Sequence, residues 1–253
     1  MPTFHTTGIV LRVRDSGEND RRAVIYTQDR GKLELFVKSA RRIKSKLSPH
    51  LEPMTLVDCY VVRGKIDHLA GIERTHRFGG FRDSLHRLGH AAWGLEVVDR
   101  LVKPDHGDPK IYDLLLSWLT FLENLEHDVV PSRIRLAYLM SLYEMLGHGP
   151  ECARCVGCKN DSDNWFFSVR DGGILCGLCK GKSLGATFAL LQTQKKELEL
   201  MCVEEPPRFS FDMHRTLSPT ISDMLLTALI NEHFDYLPAS DFFIRRVAQQ
   251  QSV

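Results

Sequence analysis

The first 78 residues alternate apolar and polar positions with the two-residue period of β-strands. Leu33, Leu35 and Val37 alternate with charged residues except at Phe36, which weakens the pattern. Four other short runs rich in β-branched residues end at turn formers. The predicted strands cover residues 6–14, 21–28, 32–38, 55–63 and 68–78. Five strands in so short a segment, without a long helix between them, predict a small barrel. We expect an OB-fold, with an SH3-like barrel as the alternative.

Beyond residue 82 the apolar positions recur at three- and four-residue steps, as on one face of an amphipathic helix. The pattern predicts helices over residues 85–102, 111–122, 134–142, 183–203, 218–234 and 239–249. Ser218-Pro219 has the form of an N-cap followed by proline at the first helical position. We therefore predict an α+β multidomain protein. Its segments are an OB barrel over 1–79, a helical domain over 80–150 and 183–253, and a metal-binding insert over 151–182.

The net charge of +1 conceals an asymmetry along the chain. Residues 1–78 contain 15 Lys and Arg against 9 Asp and Glu, whereas the remaining residues contain 18 against 23. Such asymmetry indicates that one part of the chain meets a polyanion. The sequence shows no signal peptide and no apolar run long enough to span a membrane, so we expect a cytoplasmic protein.

Seven basic residues near the barrel are candidate contacts to DNA phosphates. Arg12 and Arg14 have the same parity on the first strand, so both are expected on one face. The others lie at the start of the basic connection between the third and fourth strands: Lys38, Arg41, Arg42, Lys44 and Lys46. Phe36 and Tyr60 could stack on bases, although the barrel core is the simpler expectation for both.

Five of the seven cysteines lie within residues 152–179. Two sets fit a tetrahedral site: Cys152, Cys155, Cys176 and Cys179, or Cys155, Cys158, Cys176 and Cys179. The second set has the spacing C-x2-C-x17-C-x2-C, which is typical of paired zinc knuckles. Four thiolates leave no position for water or substrate, so the site is predicted to be structural and to bind one Zn²⁺ per chain. Cys59 and Cys202 are expected in the core.

Signatures of enzymes are absent from the sequence, which contains no GxxxxGK[ST], HExxH or GxSxG pattern. His86 and His90 stand four residues apart on a predicted helix, yet no acidic partner accompanies them. We expect a protein that is not an enzyme. Two other binding functions stay open on the residues alone: an RNA-binding zinc module and a protein–protein adaptor.

The order of these features resembles the RecO family of bacterial recombination mediators over nearly the full chain. The resemblance rests on GIVLRVRDSGENDRRAVIYTQDRGKLELFVKSARRIKSKL (8–47), LEP (51–53), GGILCGLC (172–179) and ASDFF (239–243). Ser39 stands where the family has glycine. In the family a proline and an acidic residue precede the first ligand cysteine, as Pro150-Glu151 precede Cys155. The resemblance therefore selects Cys155, Cys158, Cys176 and Cys179 as ligands and leaves Cys152 spare.

The resemblance also implies a function. Such proteins bind single- and double-stranded DNA, anneal complementary strands and, with RecR, help to load RecA onto DNA coated by single-stranded-DNA-binding protein. It implies that the acidic C-terminal tail of that coating protein binds a groove in the helical domain. Four arginines could supply charge to this groove, although an ordinary surface role is the simpler expectation for them: Arg133, Arg135, Arg245 and Arg246.

Overall fold

The structure, a computed structural model, describes residues 2–104, 107–126, 128–202, 207, 209–210, 212–213, 215–234 and 237–250. The chain divides into two compact units, residues 1–126 with 243–253 and residues 127–242. The finer division into barrel, helical domain and insert stays a prediction. Within the described ranges, no helix has the length and apolar character needed to cross a membrane.

The first unit begins with a closed five-stranded barrel. Its strands are β1 (Thr3–Ser16), β2 (Asp20–Thr27), β3 (Gly31–Val37), β4 (Thr55–Val62) and β5 (His68–Arg77). Their order around the barrel is β1-β2-β3-β5-β4, with β3 and β5 parallel and the other neighbours antiparallel. This is the closure of an OB-fold, so the predicted architecture is confirmed.

The first strand is long because it pairs with two neighbours in succession, β4 along its first half and β2 along its second. Gly8 belongs to both ladders, and a Cβ at this position would lie 2.6 Å from Cγ2 of Ile25. A bulge between Val10 and Arg12 bends the strand where it changes partner. Alternate side chains of all five strands, among them Val10 and Ile25, fill the barrel interior.

Two helices, α1 (Leu85–Leu101) and α2 (Pro109–Glu123), follow in the same unit, and both contact β1. Ser84 caps α1 by accepting a hydrogen bond from the Arg87 amide. The two helices approach closely at Gly94, where a Cβ would lie 2.3 Å from Nε1 of Trp118. That indole nitrogen donates to the His90 carbonyl at 3.1 Å. The Trp118 indole therefore leaves no room for a side chain at Gly94, which explains the glycine in the middle of this helix.

The second unit contains helices and a small sheet. Its elements are α3 (Ser132–Met145), β6 (Trp165–Ser168), β7 (Gly173–Cys176), α4 (Gly177–Lys180), β8 (Phe188–Leu190), α5 (Gln192–Met201) and α6 (Pro219–His233). The last helix, α7 (Ala239–Gln250), begins in this unit and continues in the first. Ser218 caps α6 as predicted, accepting from the Ile221 amide at 3.3 Å.

The single helix predicted over residues 183–203 is wrong in its first half. Phe188 and Leu190 pair with Phe167 and Trp165, so the segment forms the third strand of a sheet with the order β7-β6-β8. The helix begins only at Gln192. The strand depends on cross-strand partners more than 20 residues away, which the local period does not reveal.

Candidate metal centre and nucleic-acid interface

Four cysteine sulfurs converge in the second unit. Cys155, Cys158, Cys176 and Cys179 place their sulfurs within 4.8 Å of one another, a group that could hold a metal ion. The Cys158 and Cys176 sulfurs are 3.8 Å apart. A tetrahedron with Zn–S bonds of about 2.3 Å has edges of about 3.8 Å, so the spacing fits a tetrahedral thiolate site.

Two tight turns bring the sulfurs together. In the first, the Lys159 amide donates to the Cys155 carbonyl at 2.8 Å, and the Val156 amide ties the turn to Ile174 of β7 at 2.9 Å. Gly157 lies against the second turn, where a Cβ would come within 2.9 Å of the Cys179 sulfur. The second turn follows β7 directly, because Cys176 ends the strand and caps α4, its sulfur accepting from the Cys179 amide at 3.4 Å.

Backbone amides favour the thiolate form at part of this cluster. Burial raises the pKa of Cys155, but amide donors, first among them Cys176 at 3.3 Å, lower it to about 6. The Cys179 amide likewise lowers the pKa of Cys176. Hydrogen bonds with the Cys176 and Cys158 sulfurs raise the pKa of Cys179 to about 12. Metal ligation requires deprotonated sulfur, and these amide donors supply part of the necessary stabilisation.

The sheet beneath the cluster supplies a small apolar core. Trp165, Phe167, Ile174 and Leu190 are buried on its strands. The Lys180 ammonium lies 4.0 Å from the centre of the Phe166 ring. A core of this size is small for a segment so rich in loops, so a bound metal would add much of the stability.

Cys152 lies outside the cluster. Its sulfur is 3.2 Å from that of Cys202, at the end of α5. Cys59 is buried in the barrel as predicted, whereas Cys202 is only half-buried.

The basic connection between β3 and β4 is tied to the β1–β2 turn at its start. Ser39 has the positive φ of 56° that glycine adopts more easily, and its amide donates to the Asp20 carboxylate at 2.7 Å. The Arg41 amide donates to the Asn19 carbonyl at 2.9 Å. These bonds fix the origin of the loop and hold its following basic residues beside the barrel.

Six of the seven predicted phosphate contacts are exposed: Arg14, Lys38, Arg41, Arg42, Lys44 and Lys46. Arg14 lies opposite Arg22 on β2. Arg41 pairs with Asp15 at 3.4 Å. Across the part of the chain that the structure describes, no carboxylate forms an ion pair with Lys38 or with the loop residues Arg42, Lys44 and Lys46. The connection is therefore a strongly positive surface.

Arg12 differs from this group. Its guanidinium pairs with Asp99 of α1, and the Lys32 ammonium donates to the Asp99 carbonyl at 2.6 Å. Burial lowers the pKa of Lys32, with the Asp99 charge opposing the shift. Arg12 and Lys32 thus hold α1 against the barrel. Arg14, two residues further along the same face, lies beyond this contact.

Two residues of the basic surface were missed by sequence reasoning. A groove of about 650 Å³ beside the loop is lined by Arg21 as well as by Arg41 and Arg42. Arg21 donates to the Ser48 hydroxyl at 3.1 Å and pairs with Asp15 at 3.2 Å. The β1–β2 hairpin register, which sets residue 21 opposite residue 15, could have indicated it. Ile43, between two of the cations, is fully exposed, and its apolar character gave no such signal.

The prediction that Phe36 and Tyr60 lie in the barrel core is wrong. Tyr60 is 57% exposed on the outer face of β4, with its ring 4.8 Å from that of His5. Phe36 is half-buried on the outer face of β3, 5.4 Å from the His68 ring. The inward positions of these strands are taken by the alternate residues, such as Leu35 and Cys59, so parity places both rings outside.

The arginines considered for an acidic-tail groove have different environments. Arg135 is buried in an ion pair with Asp241, and the half-buried Arg133 donates to the Met213 carbonyl at 2.9 Å. Arg245 and Arg246 are exposed on α7.

Comparison with known proteins gives the family. The models "Recombination protein O N terminal" and "Recombination protein O C terminal" match residues 1–78 and 82–194. A protein named DNA repair protein RecO from Alkaliphilus metalliredigens is 32% identical over 92% of this chain and 96% of its own length. Proteins of the same name from Symbiobacterium thermophilum and Bacillus subtilis are 30% and 29% identical over 79% and 68% of this chain, and over 81% and 67% of their own lengths. This chain belongs to the recombination protein O family.

Proposed function

We propose that this protein is a non-enzymatic recombination mediator that binds single- and double-stranded DNA and anneals complementary strands. The observation that carries the proposal is the cluster of exposed cations on the β3–β4 connection of an OB barrel. Lys38, Arg42, Lys44 and Lys46 have no carboxylate partner among the described residues, so their charge is available to a polyanion. Family membership supports the assignment to DNA repair.

The physical basis of binding is phosphate neutralisation. Single-stranded DNA is held by a positive groove along its backbone, with aromatic side chains stacking on bases. Tyr60 and the Phe36–His68 pair present aromatic faces on the outer surface of the same barrel. If the six exposed cations all contact phosphates, the logarithm of affinity falls with the logarithm of salt at a slope of about −4.

The proposed partners follow from the family. We propose that the protein acts with RecR to load RecA onto DNA coated by single-stranded-DNA-binding protein, and that it binds the acidic C-terminal tail of that coating protein. Its proposed location is the cytoplasm, at the nucleoid during repair. The proposed metal is one structural Zn²⁺ per chain, held by Cys155, Cys158, Cys176 and Cys179, whose role is to keep the small sheet folded.

The class of ligand is tested by fluorescence anisotropy with a single-stranded DNA and an RNA of the same sequence, across a salt series. We expect the DNA to bind at low salt with the steep dependence given above. A preference for RNA would indicate the RNA-binding module instead. Absence of binding to either nucleic acid at low salt would contradict the mediator and favour a protein adaptor.

The site is tested by strand annealing with a quadruple variant, Arg41→Ala, Arg42→Ala, Lys44→Ala and Lys46→Ala. We expect annealing to fall and the salt slope to become shallower. A charge-matched control changes four exposed cations elsewhere, Arg154, Lys182, Lys196 and Arg246, to alanine. Equal losses in the two variants would show that net charge, not the β3–β4 connection, determines binding.

A further inference from the structure

Two cysteines outside the metal centre lie side by side in the second unit. The Cys202 sulfur is 3.2 Å from the Cys152 sulfur and 3.4 Å from the Pro150 carbonyl oxygen. Cys152 is 3% exposed, and Cys202 is half-buried. Two sulfurs at this separation need to approach by only about 1 Å to reach the S–S bond length.

Cys152 and Cys202 lie on either side of the metal ligands in the chain. Cys152 precedes the first metal ligand by three residues, and Cys202 follows the last residue of α5. The segment from 152 to 202 contains all four ligand cysteines, the whole β7-β6-β8 sheet and α5. We define residues 152–202 as the metal-binding module. Cys152 is its first residue and Cys202 its last, so the pair joins the two ends of the module.

We propose that Cys152 and Cys202 are a redox-modification site, at which a hydroperoxide forms a reversible disulfide that closes the metal-binding module into a covalent ring. In the first step the Cys202 thiol is oxidised to a sulfenic acid and hydrogen peroxide is reduced to water. In the second step the Cys152 sulfur attacks the Cys202 sulfur, and hydroxide and the Cys152 proton leave as a second water. Two thiols and one peroxide thus give one disulfide and two waters.

The surroundings distinguish the roles of the two sulfurs. Both cysteines line an open pocket of about 390 Å³, but Cys202 is half-buried, whereas Cys152 is almost fully buried. The hydrogen bond with Cys202, together with burial, raises the pKa of Cys152 well above its ordinary value. Cys202 is therefore the sulfur that the oxidant reaches first, and Cys152 is the resolving sulfur.

The charge of the pocket selects the class of oxidant. Glu144, Glu151 and Glu199 line it, and its lining includes no lysine or arginine among the described residues. Glu151 is fixed by the amides of Ala153 and Arg154, and Glu199 by Lys195. This acidic lining disfavours anionic oxidants such as glutathione disulfide and admits small neutral peroxide.

The ring has a consequence for metal retention. A disulfide between Cys152 and Cys202 restricts the conformations that the module can adopt once the metal is lost. The ligand cysteines therefore stay close together when the metal is withdrawn. The disulfide is thus expected to slow metal loss while leaving the four ligand thiolates unmodified.

The zinc-loaded protein provides the test. It is treated with hydrogen peroxide at a concentration that releases no zinc and is then digested and mapped by mass spectrometry without reduction. We expect a peptide linking Cys152 to Cys202, lost on treatment with dithiothreitol, in the parent protein and in the control variant Cys59→Ser. The linked peptide is expected to be absent from Cys152→Ser and Cys202→Ser. Peroxide consumption without this link, or a link that involves a metal ligand, would overturn the site.

The consequence is tested separately by the rate of zinc release to a chelator. Peroxide treatment should slow release from the parent protein and have no effect on Cys202→Ser. Equal or faster release from the oxidised parent would refute the retaining role. Neither measurement involves DNA, so both are independent of the proposed DNA binding; the release measurement rests on the proposed zinc, whereas the cysteine link is detected by mass whether or not a metal is bound.

Discussion

Asp241, fully buried at the start of α7, pairs with Arg135, which is buried on α3. The ASDFF segment that helps to carry the family resemblance thus contributes a buried charge to the helical packing. Taking two ions out of water is costly, and this cost is offset only when both partners are present. Arg135, one of the arginines considered for a partner groove, is therefore part of the folded core.

We expect Asp241→Ala to lower the free energy of unfolding by about 3–5 kcal/mol, because it removes the carboxylate that pairs with the buried Arg135 guanidinium. Urea denaturation measures the change. The matched control is Asp212→Ala, which breaks an ion pair of 3.0 Å between side chains more than 70% exposed, and it should leave stability nearly unchanged. The double variant Arg135→Met, Asp241→Leu should be more stable than Asp241→Ala. Equal effects of the buried and the exposed substitution would contradict this account.

Arg12 and Arg14 lie two residues apart on one strand, and we expect their replacement to have different effects. Arg12→Ala should lower the midpoint of thermal unfolding, since it leaves Asp99 with Lys32 alone at the contact between β1 and α1. Arg14→Ala should leave the midpoint unchanged and weaken DNA binding. Calorimetry and anisotropy on the same two variants separate the outcomes. A loss of affinity in Arg12→Ala at unchanged stability would restore Arg12 as a phosphate contact.

The cysteine cluster predicts which single substitutions remove the metal. Cys155→Ser and Cys179→Ser should lose zinc and unfold the small sheet, because each removes one of four converging sulfurs. Cys152→Ser should keep one zinc per chain, since its sulfur lies beside Cys202. Elemental analysis measures the zinc, and the tryptophan fluorescence, to which Trp165 of the small sheet contributes, reports the unfolding. Loss of zinc from Cys152→Ser with retention in Cys158→Ser would mean that the ligand set is wrong.

Glu123 contributes to the stability of the first unit, and this contribution is expected to be lost at acid pH. Burial raises the pKa of its carboxyl, but the Gly79 amide and His76, both at 2.9 Å, lower it below the ordinary value of 4.5 overall. A lowered folded-state pKa stabilises the protein above the unfolded pKa, and that contribution is lost as pH falls through the folded one. Glu123→Gln should therefore be less stable than the parent at neutral pH, with the difference shrinking below about pH 4.5.

Urea denaturation at several pH values measures this dependence. The control is Glu126→Gln, at an exposed position of the following loop, which should track the parent at every pH. A constant difference between Glu123→Gln and the parent down to the lowest pH would show that the carboxylate contributes nothing through its ionisation.

Patterns between near neighbours in the chain predicted much of this protein. The alternation of Leu33, Leu35 and Val37 indicated a barrel strand, and the apolar spacing after residue 82 indicated the helices. Cysteine spacing restricted the metal ligands to two sets, and the family resemblance selected the set whose sulfurs converge in the structure. These signals are readable because strand period, helix period and a two-residue knuckle are each determined by adjacent residues.

Contacts between residues that are distant in the chain could be identified only from the folded structure. Arg12 meets Asp99 across 87 residues, and Arg135 meets Asp241 across 106. The third strand of the small sheet and the contact of Cys152 with Cys202 likewise depend on residues far apart in the chain. A local pattern identifies a cation, a thiol or a ring, but packing determines whether it is buried, paired or open to a ligand, because burial and pairing depend on surfaces that only the tertiary fold brings together.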